Sequence, residues 1–503
     1  MNNVINKTVA VAFLLAIAIM TGSLIAAAGG TDLGISRAQI NPMKGSGTSL
    51  TSSGAITFSG NVVLLWSKSL PGGLIYISKT DDMDGDKKGD IILEVDNEST
   101  GVDIHTAIAV KGSDGTDLWR ESTDIDVDEF SVIPTGDLNG DKKADVIFVN
   151  GSTLIAKKGI DYTNLWQESV IHPSVISAIP TDDLNGDKKA DVLVIKGNWA
   201  TGAYSVEAKK GKDGINLWQE SFTGEGGISA TPTGDLNGDK KADVLVTIDD
   251  SYANNHTLIA KKGKDGTNLW QESFTREGGI SVIPTNDLNG DKKADVFVVI
   301  GNTLIAKKGK DGTNLWQESV TENGLMDVIP TNDLNGDKKA DVLVKIDDWN
   351  ANNHTVMAKK GNHGTNLWQI SVTGINLGIF AEPSGDLNGD KKADVLVTIL
   401  NTTRFANNIT IMAKKGYDGT NLWQKSNIGW ARPTDDLNGD KKADVLLLGS
   451  TIIAKKGSDF TDLWKASSTG DIGAMPIGDL DRDGRENTLV TSYDNIYAIG
   501  IPK

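Results

Sequence analysis

The chain has 503 residues, a formal net charge of −17 and no cysteine. Disulfides, thiolate metal centres and cysteine nucleophiles are therefore excluded, and the acidic balance argues against nucleic acid as a partner. At the N-terminus, Lys7 precedes an uncharged run from Thr8 to Ala28, and Ala26-Ala27-Ala28 before Gly29 offers a small-residue cleavage site. This pattern predicts a signal peptide over residues 1–28, with an uncleaved anchor as the alternative, and so an extracellular or cell-surface protein. Residues 29–53, rich in Gly, Ser and Thr, read as a flexible linker, and 54–503 as a single domain.

From residue 82 a nine-residue stretch returns nine times at intervals of 43 to 55 residues, the mark of a repeat architecture. Seven copies read Asp-Leu-Asn-Gly-Asp-Lys-Lys-Ala-Asp, and looser copies begin at Asp82 and Asp479. Side-chain oxygens stand at positions 1, 3, 5 and 9. In chain order these are Asp82, Asp84, Asp86 and Asp90; Asp137, Asn139, Asp141 and Asp145; Asp183, Asn185, Asp187 and Asp191; Asp235, Asn237, Asp239 and Asp243; and Asp287, Asn289, Asp291 and Asp295. The later copies supply Asp333, Asn335, Asp337 and Asp341; Asp386, Asn388, Asp390 and Asp394; Asp436, Asn438, Asp440 and Asp444; and finally Asp479, Asp481 and Asp483. Alternate oxygens on a short loop suit a hard cation, and calcium accepts six to eight of them in flexible geometry. A plain Asx turn could account for one copy, but not for seven identical ones. We read the loops as calcium sites, whose load would offset the chain's negative charge. They are not EF-hands, which need Gly at position 6 and Glu at position 12 between helices. Here an apolar, β-branched run follows, as in Asp243 to Ile248.

Residues 279–319 show the whole unit: a short strand A (280–284), the loop at Asp287, strand B (296–300), strand C (303–308), a Gly-Lys-Asp-Gly turn and strand D (314–319). Four short strands per unit predict the blade of an all-β propeller. The loops resemble those of FG-GAP repeats in integrin-type β-propellers, a likeness extending over about residues 54 to 503. It implies a calcium loop between the first and second strands of each blade.

A second resemblance lies between strands C and D, where Ala260 and Trp270 stand ten residues apart with Gly266 between them. This spacing is similar to the tryptophan-docking motif of quinoprotein propellers, in which the tryptophan packs between blades. It recurs at Ala109/Trp119, Ala156/Trp166, Ala208/Trp218, Ala306/Trp316, Ala358/Trp368, Ala413/Trp423 and Ala454/Trp464. The motif's Asp is Lys262 here, and its Gly becomes Tyr162 and Phe460 in two units. The resemblance therefore implies packing and no quinone. At the ends, Trp66 lacks its alanine and Ala498 lacks its tryptophan, so joining 62–69 to the C-terminal strands would complete a last blade from both termini. The spacing of the loops favours nine blades over eight.

Strands that alternate in direction place the loops and the Lys-Lys-Gly turns of the C–D corners on one face. Their lysines are expected to be solvated. The opposite face carries the varied B–C connections with Trp199, Tyr252, Trp349 and Phe405, which could stack on sugar rings or anchor their own loops. Trp430 is expected to pack between blades. Sequons at Asn255, Asn353, Asn401 and Asn408 also fall there. His256 and His354 occupy equivalent positions, and no Gly-x-Ser-x-Gly, His-Glu-x-x-His or phosphate-binding glycine loop occurs. The sequence thus points to an exported, monomeric, calcium-binding adhesion or binding module for an extracellular protein or glycan, without catalysis. A polysaccharide lyase and an architectural surface component are the alternatives.

Overall fold

A computed structural model describes residues 50–51 and 56–502, except for 71–72, 98–103, 125–129, 172–173, 199, 225, 251–253, 276–278, 321–323, 349, 403–406 and 493–494. The predicted leader and most of the linker lie outside the described residues, as do Trp199, Tyr252, Trp349 and Phe405. The described residues form β-strands, turns and loops, with no helix among them.

Nine antiparallel sheets make nine blades of a β-propeller. In blade 5 the strands are Ile280–Thr285, Asp295–Ile300, Thr303–Lys307 and Asn314–Ser319, within a residue or two of the sequence reading. The second strand of each blade is apolar without alternation because both of its faces are covered by neighbouring blades. In Asp341–Asp348, for example, the first four residues are all buried. The core is accordingly a series of inter-blade layers. In one of them Val206, Ala208 and Trp218 of blade 3 meet Ile228, Val244 and Val246 of blade 4.

The first strands are innermost, since their ends, from Lys79-Thr80-Asp81 of blade 1 to Asp435 of blade 8, surround one axial cavity of about 940 Å³. The third and fourth strands carry a bulge in every complete copy: Ala208 faces Trp218, but Lys209 faces Asn216, so Leu217 is the extra residue. A bulge re-aims the side chains beside it, and here those include the docking tryptophan.

The ring closes as the termini predict. Val63–Ser69 pairs with Asn495–Gly500, with Trp66 opposite Ala498, and becomes the outer strand of blade 9. One feature was not anticipated. Ile56–Gly60 adds a fifth strand to the outside of blade 8, pairing with Asp462–Ser468, and Leu50–Thr51 adds a short sixth. The fifth strand seals Trp464, which is 2% exposed.

Candidate functional site

The repeated loops form a rim where each first strand turns into the second. In the third loop, Asp183 Oδ1 accepts from the amides of Gly186 (2.5 Å) and Asp187 (3.1 Å), and Oδ2 accepts from Lys188 (2.7 Å). Asp187 Oδ1 accepts from the amide of Lys189 at 3.0 Å. Positions 1 and 5 are thereby held by backbone donors, so their oxygens are oriented before any ligand arrives. The backbone is left-handed at both position 4 (Gly186, φ 91°) and position 6 (Lys188, φ 66°). Glycine meets the first requirement at no steric cost, whereas lysine strains to meet the second.

Position 9 behaves differently. Asp191 is wholly buried; Oδ2 accepts from the Leu184 amide (2.9 Å) and Asn185 Nδ2 (2.8 Å), and Oδ1 from the Gly211 amide (3.1 Å). It ties its own loop to the C–D corner, and three of roughly four lone-pair sites on the carboxylate are taken. Burial pushes its carboxyl up to about 6 against the pull of these donors, and the same holds in the other identical loops, reaching about 7 at Asp444. Asn at position 3 has a clear reason: its amide supplies a donor where a second carboxylate would repel.

The two divergent loops solve the same charge problem differently. In the last loop the residues exchange, with Asp481 at position 3 and Asn487 at position 9 accepting from the Leu480 amide (2.6 Å). In the first loop both are acids, Asp84 and Asp90. Burial would raise Asp84, but Lys111, 2.8 Å away, holds its carboxyl below the ordinary value. In each of these loops three carboxylates converge, Asp82/Asp84/Asp86 and Asp479/Asp481/Asp483, with oxygens within 4.8 Å of one another. The rim's donors are all oxygens, which suits a hard divalent cation rather than zinc or copper.

Successive loops are joined. The Ala242 amide of the fourth loop donates to the Asp183 carbonyl of the third (3.1 Å), and the same bond recurs from Ala144 to Asp82 through Ala443 to Asp386. In the seven identical loops the second lysine lies over the preceding loop's glycine, so that a Cβ at Gly186 would stand 2.5 Å from Lys241 Cε, and in the last loop Arg485 does the same over Gly439. This second role of the glycine was not legible, because its neighbour lies one unit away.

The docking tryptophans also reach forward. Trp218 Nε1 donates to Gly263 O (2.7 Å) of the next blade, and Trp66 does the same to Gly112 O (2.7 Å) across the closure. Where the stacking glycine is replaced, an aromatic ring takes its place: Tyr162 lies 4.3 Å from Trp119 and Phe460 lies 4.5 Å from Trp423, centroid to centroid.

The expectation of solvated lysines requires correction. The first lysine of the Lys-Lys-Gly turn is buried between blades; Lys307, 1% exposed, meets Glu272 of the preceding blade at 2.5 Å and Asn314 Oδ1 at 2.6 Å. Lys261 with Glu220 and Lys359 with Glu318 repeat the pair. Sequence placed both lysines on a face; the inward aim of the first follows from the bulge beside it. Trp430 packs edge-on against Phe380 of the adjacent blade at 5.7 Å, yet remains 43% exposed, so its packing role is partial. His256 and His354 are buried partners of Asp249 and Asp347, at 2.6 and 2.7 Å.

The sequence matches the family described as FG-GAP-like repeat over residues 183–246 and 235–298. The chain carries FG-GAP-like repeats. No curated protein sequence matches it significantly. Similar solved structures include the V. cholerae biofilm matrix protein Bap1 (12% identity, 88% of this chain and 92% of that one, TM-score 0.38). Others are the quinohemoprotein alcohol dehydrogenase of Comamonas testosteroni (10%, 88% and 77%, 0.42) and the exotype rhamnogalacturonan lyase YesX (17%, 82% and 76%, 0.44). These likenesses concern the fold alone.

Proposed function

We propose that this FG-GAP-repeat propeller is exported, loads calcium into its loop rim and acts as a cell-surface binding module. The observation that carries the reading is the rim itself. Its oxygen donors are pre-oriented by backbone amides, and each loop is bonded to the one before it. Side chains at positions 1, 3 and 5 would hold the ion, with position 9 anchoring the loop from behind. Bound calcium would supply charge neutralisation and rigidity, leaving the opposite face to engage a protein or glycan. Each site at a hundredfold excess of ion over Kd would add about 2.7 kcal/mol. Melting in calcium should therefore lie well above melting in EDTA, and coincident curves would rule out the calcium reading. Binding is tested by electrophoresis of the calcium-loaded chain through gels holding different polysaccharides, where retardation is expected.

A second reading, a glycan-cleaving enzyme on the same scaffold, is favoured by one observation. Glu382 is exposed on an innermost strand, yet crowding by the protein around it raises its carboxyl, against the attraction of Arg432 on the next blade. Staining the same gels for polymer loss separates the two: clearing by the natural chain that Glu382→Gln abolishes would establish cleavage.

A further inference from the structure

The units are nearly identical copies, so a local departure shared by adjacent blades carries information. Four residues before the threonine that ends the innermost strand, blades 2 to 5 hold Ser131, Ser177, Ser229 and Ser281. In blades 6, 7 and 8 the same position holds Asp327, Phe380 and Trp430, and two residues later blades 7 and 8 hold Glu382 and Arg432 where most others have isoleucine. All five lie on innermost strands, Gly324–Thr331, Leu377–Ser384 and Trp430–Thr434. Three consecutive blades thus replace small residues with aromatic and charged ones in one sector of the ring; blade 1 also holds an aromatic at this position, Tyr76.

The sector has defined geometry. Phe380 and Trp430 are 41% and 43% exposed, and their rings meet at 5.7 Å and 72°, so two aromatic surfaces at a steep angle remain open. Lys345 Nζ stands 4.8 Å from the Phe380 ring centroid and 2.8 Å from Asp347 Oδ2, and His354 fixes that aspartate from the other side. Lys345 is itself a departure, since blades 4, 5 and 7 have Thr247, Val299 and Thr398 there. Lys345 also sits opposite Asp327 in the strand register. Large aromatics left exposed lose the benefit of burial unless something covers them.

We propose that this sector is a saccharide-binding site, one per ring. The proposal rests on the reading of the chain as a binding module. A sugar ring offers an apolar C–H face that an open aromatic ring covers, and an edge of hydroxyls that both donate and accept. The surroundings match both needs, since Asp327 and Glu382 accept while Arg432 donates. An apolar ligand would make no use of the hydrogen-bonding groups beside the rings, and a polyanion would meet the carboxylates.

The test uses the full calcium-loaded chain with hexasaccharides of β-1,4-glucan, β-1,3-glucan, β-1,4-N-acetylglucosamine and α-1,4-galacturonate, followed by calorimetric titration. At least one should bind with a stoichiometry of one per chain, and Trp430→Ala and Phe380→Ala should each weaken it tenfold or more. Both variants should melt like the natural chain in calcium, which excludes misfolding as the cause. Several sugars bound per chain, unchanged affinity in both variants, or no binding of any of the four would overturn the proposal. Where the natural chain and both variants are retarded alike in the polysaccharide gels, the site fails while the binding module stands. Where no polymer retards the natural chain, the module reading fails in its glycan form.

Discussion

At the scale of single residues, the nine loops show four oxygen positions dividing into different tasks. Spacing made all four visible, but it could not separate position 9, whose partner amide, Gly211 for Asp191, comes from a turn 20 residues later in the chain. The lysine at position 6 is the clearest point of strain, with Lys338 at φ 65°. The last loop reverses the arrangement, with Arg482 at position 4 and Gly484 at position 6, both left-handed. Lys338→Gly should therefore raise stability by about 1 kcal/mol, the relief of left-handed strain outweighing the added freedom of the unfolded chain. Urea unfolding would show it as a higher midpoint with an unchanged slope. Asn335→Ala removes the donor that Asp341 Oδ2 accepts at 2.8 Å and should cost about 1–3 kcal/mol in EDTA. An unchanged midpoint would mean that water replaces the amide without penalty.

At the scale of the blade, strand positions were legible because alternation, β-branched runs and turn residues agree in every copy. What escaped was contact between copies. The ion pair of Lys307 with Glu272 spans 35 residues and two blades, and no local pattern announces it. Lys307→Ala should cost about 1–3 kcal/mol, because the lysine is buried and bonded to Asn314 while its ionic partner Glu272 stays open to water, whereas Lys308→Ala on the open side of the same turn should change little. Equal effects in thermal melts would contradict the different burial of the two lysines. Trp316, donating to Gly361 O at 2.6 Å, links blades 5 and 6, and Trp316→Ala should cost about 3–5 kcal/mol. The aromatics at Tyr162 and Phe460 were visible as exceptions in the sequence; only the structure shows them stacking on the tryptophans that the missing glycines would have met.

For the molecule as a whole, the unpaired Trp66 and Ala498 sufficed to foresee the closure, because each is half of a motif repeated eight times elsewhere. The extra strand over blade 8 was not foreseen, since Ile56–Gly60 is flanked by Gly and Ser and has no counterpart among the repeats. A chain beginning at residue 70 would lose the outer strand of blade 9 and the cover of Trp464 together. It would expose two sheet edges able to pair with other chains. Such a chain should associate as its concentration rises in light scattering, and a monomer melting like the natural protein would show that closure is dispensable.

The closure also sets a timetable. Ser69 Oγ donates to Asn495 Oδ1 at 2.5 Å, across 426 residues of chain. The outer strand of blade 9 is made before the other eight blades and must wait for strands made after them, so the ring cannot close until all nine blades exist. Blades 1 to 8 contain their own four strands and can stack as they emerge, which brings the two ends together before they pair and spares the chain most of the entropy of a long loop. Completion is then a single, late event, and a half-made chain remains open.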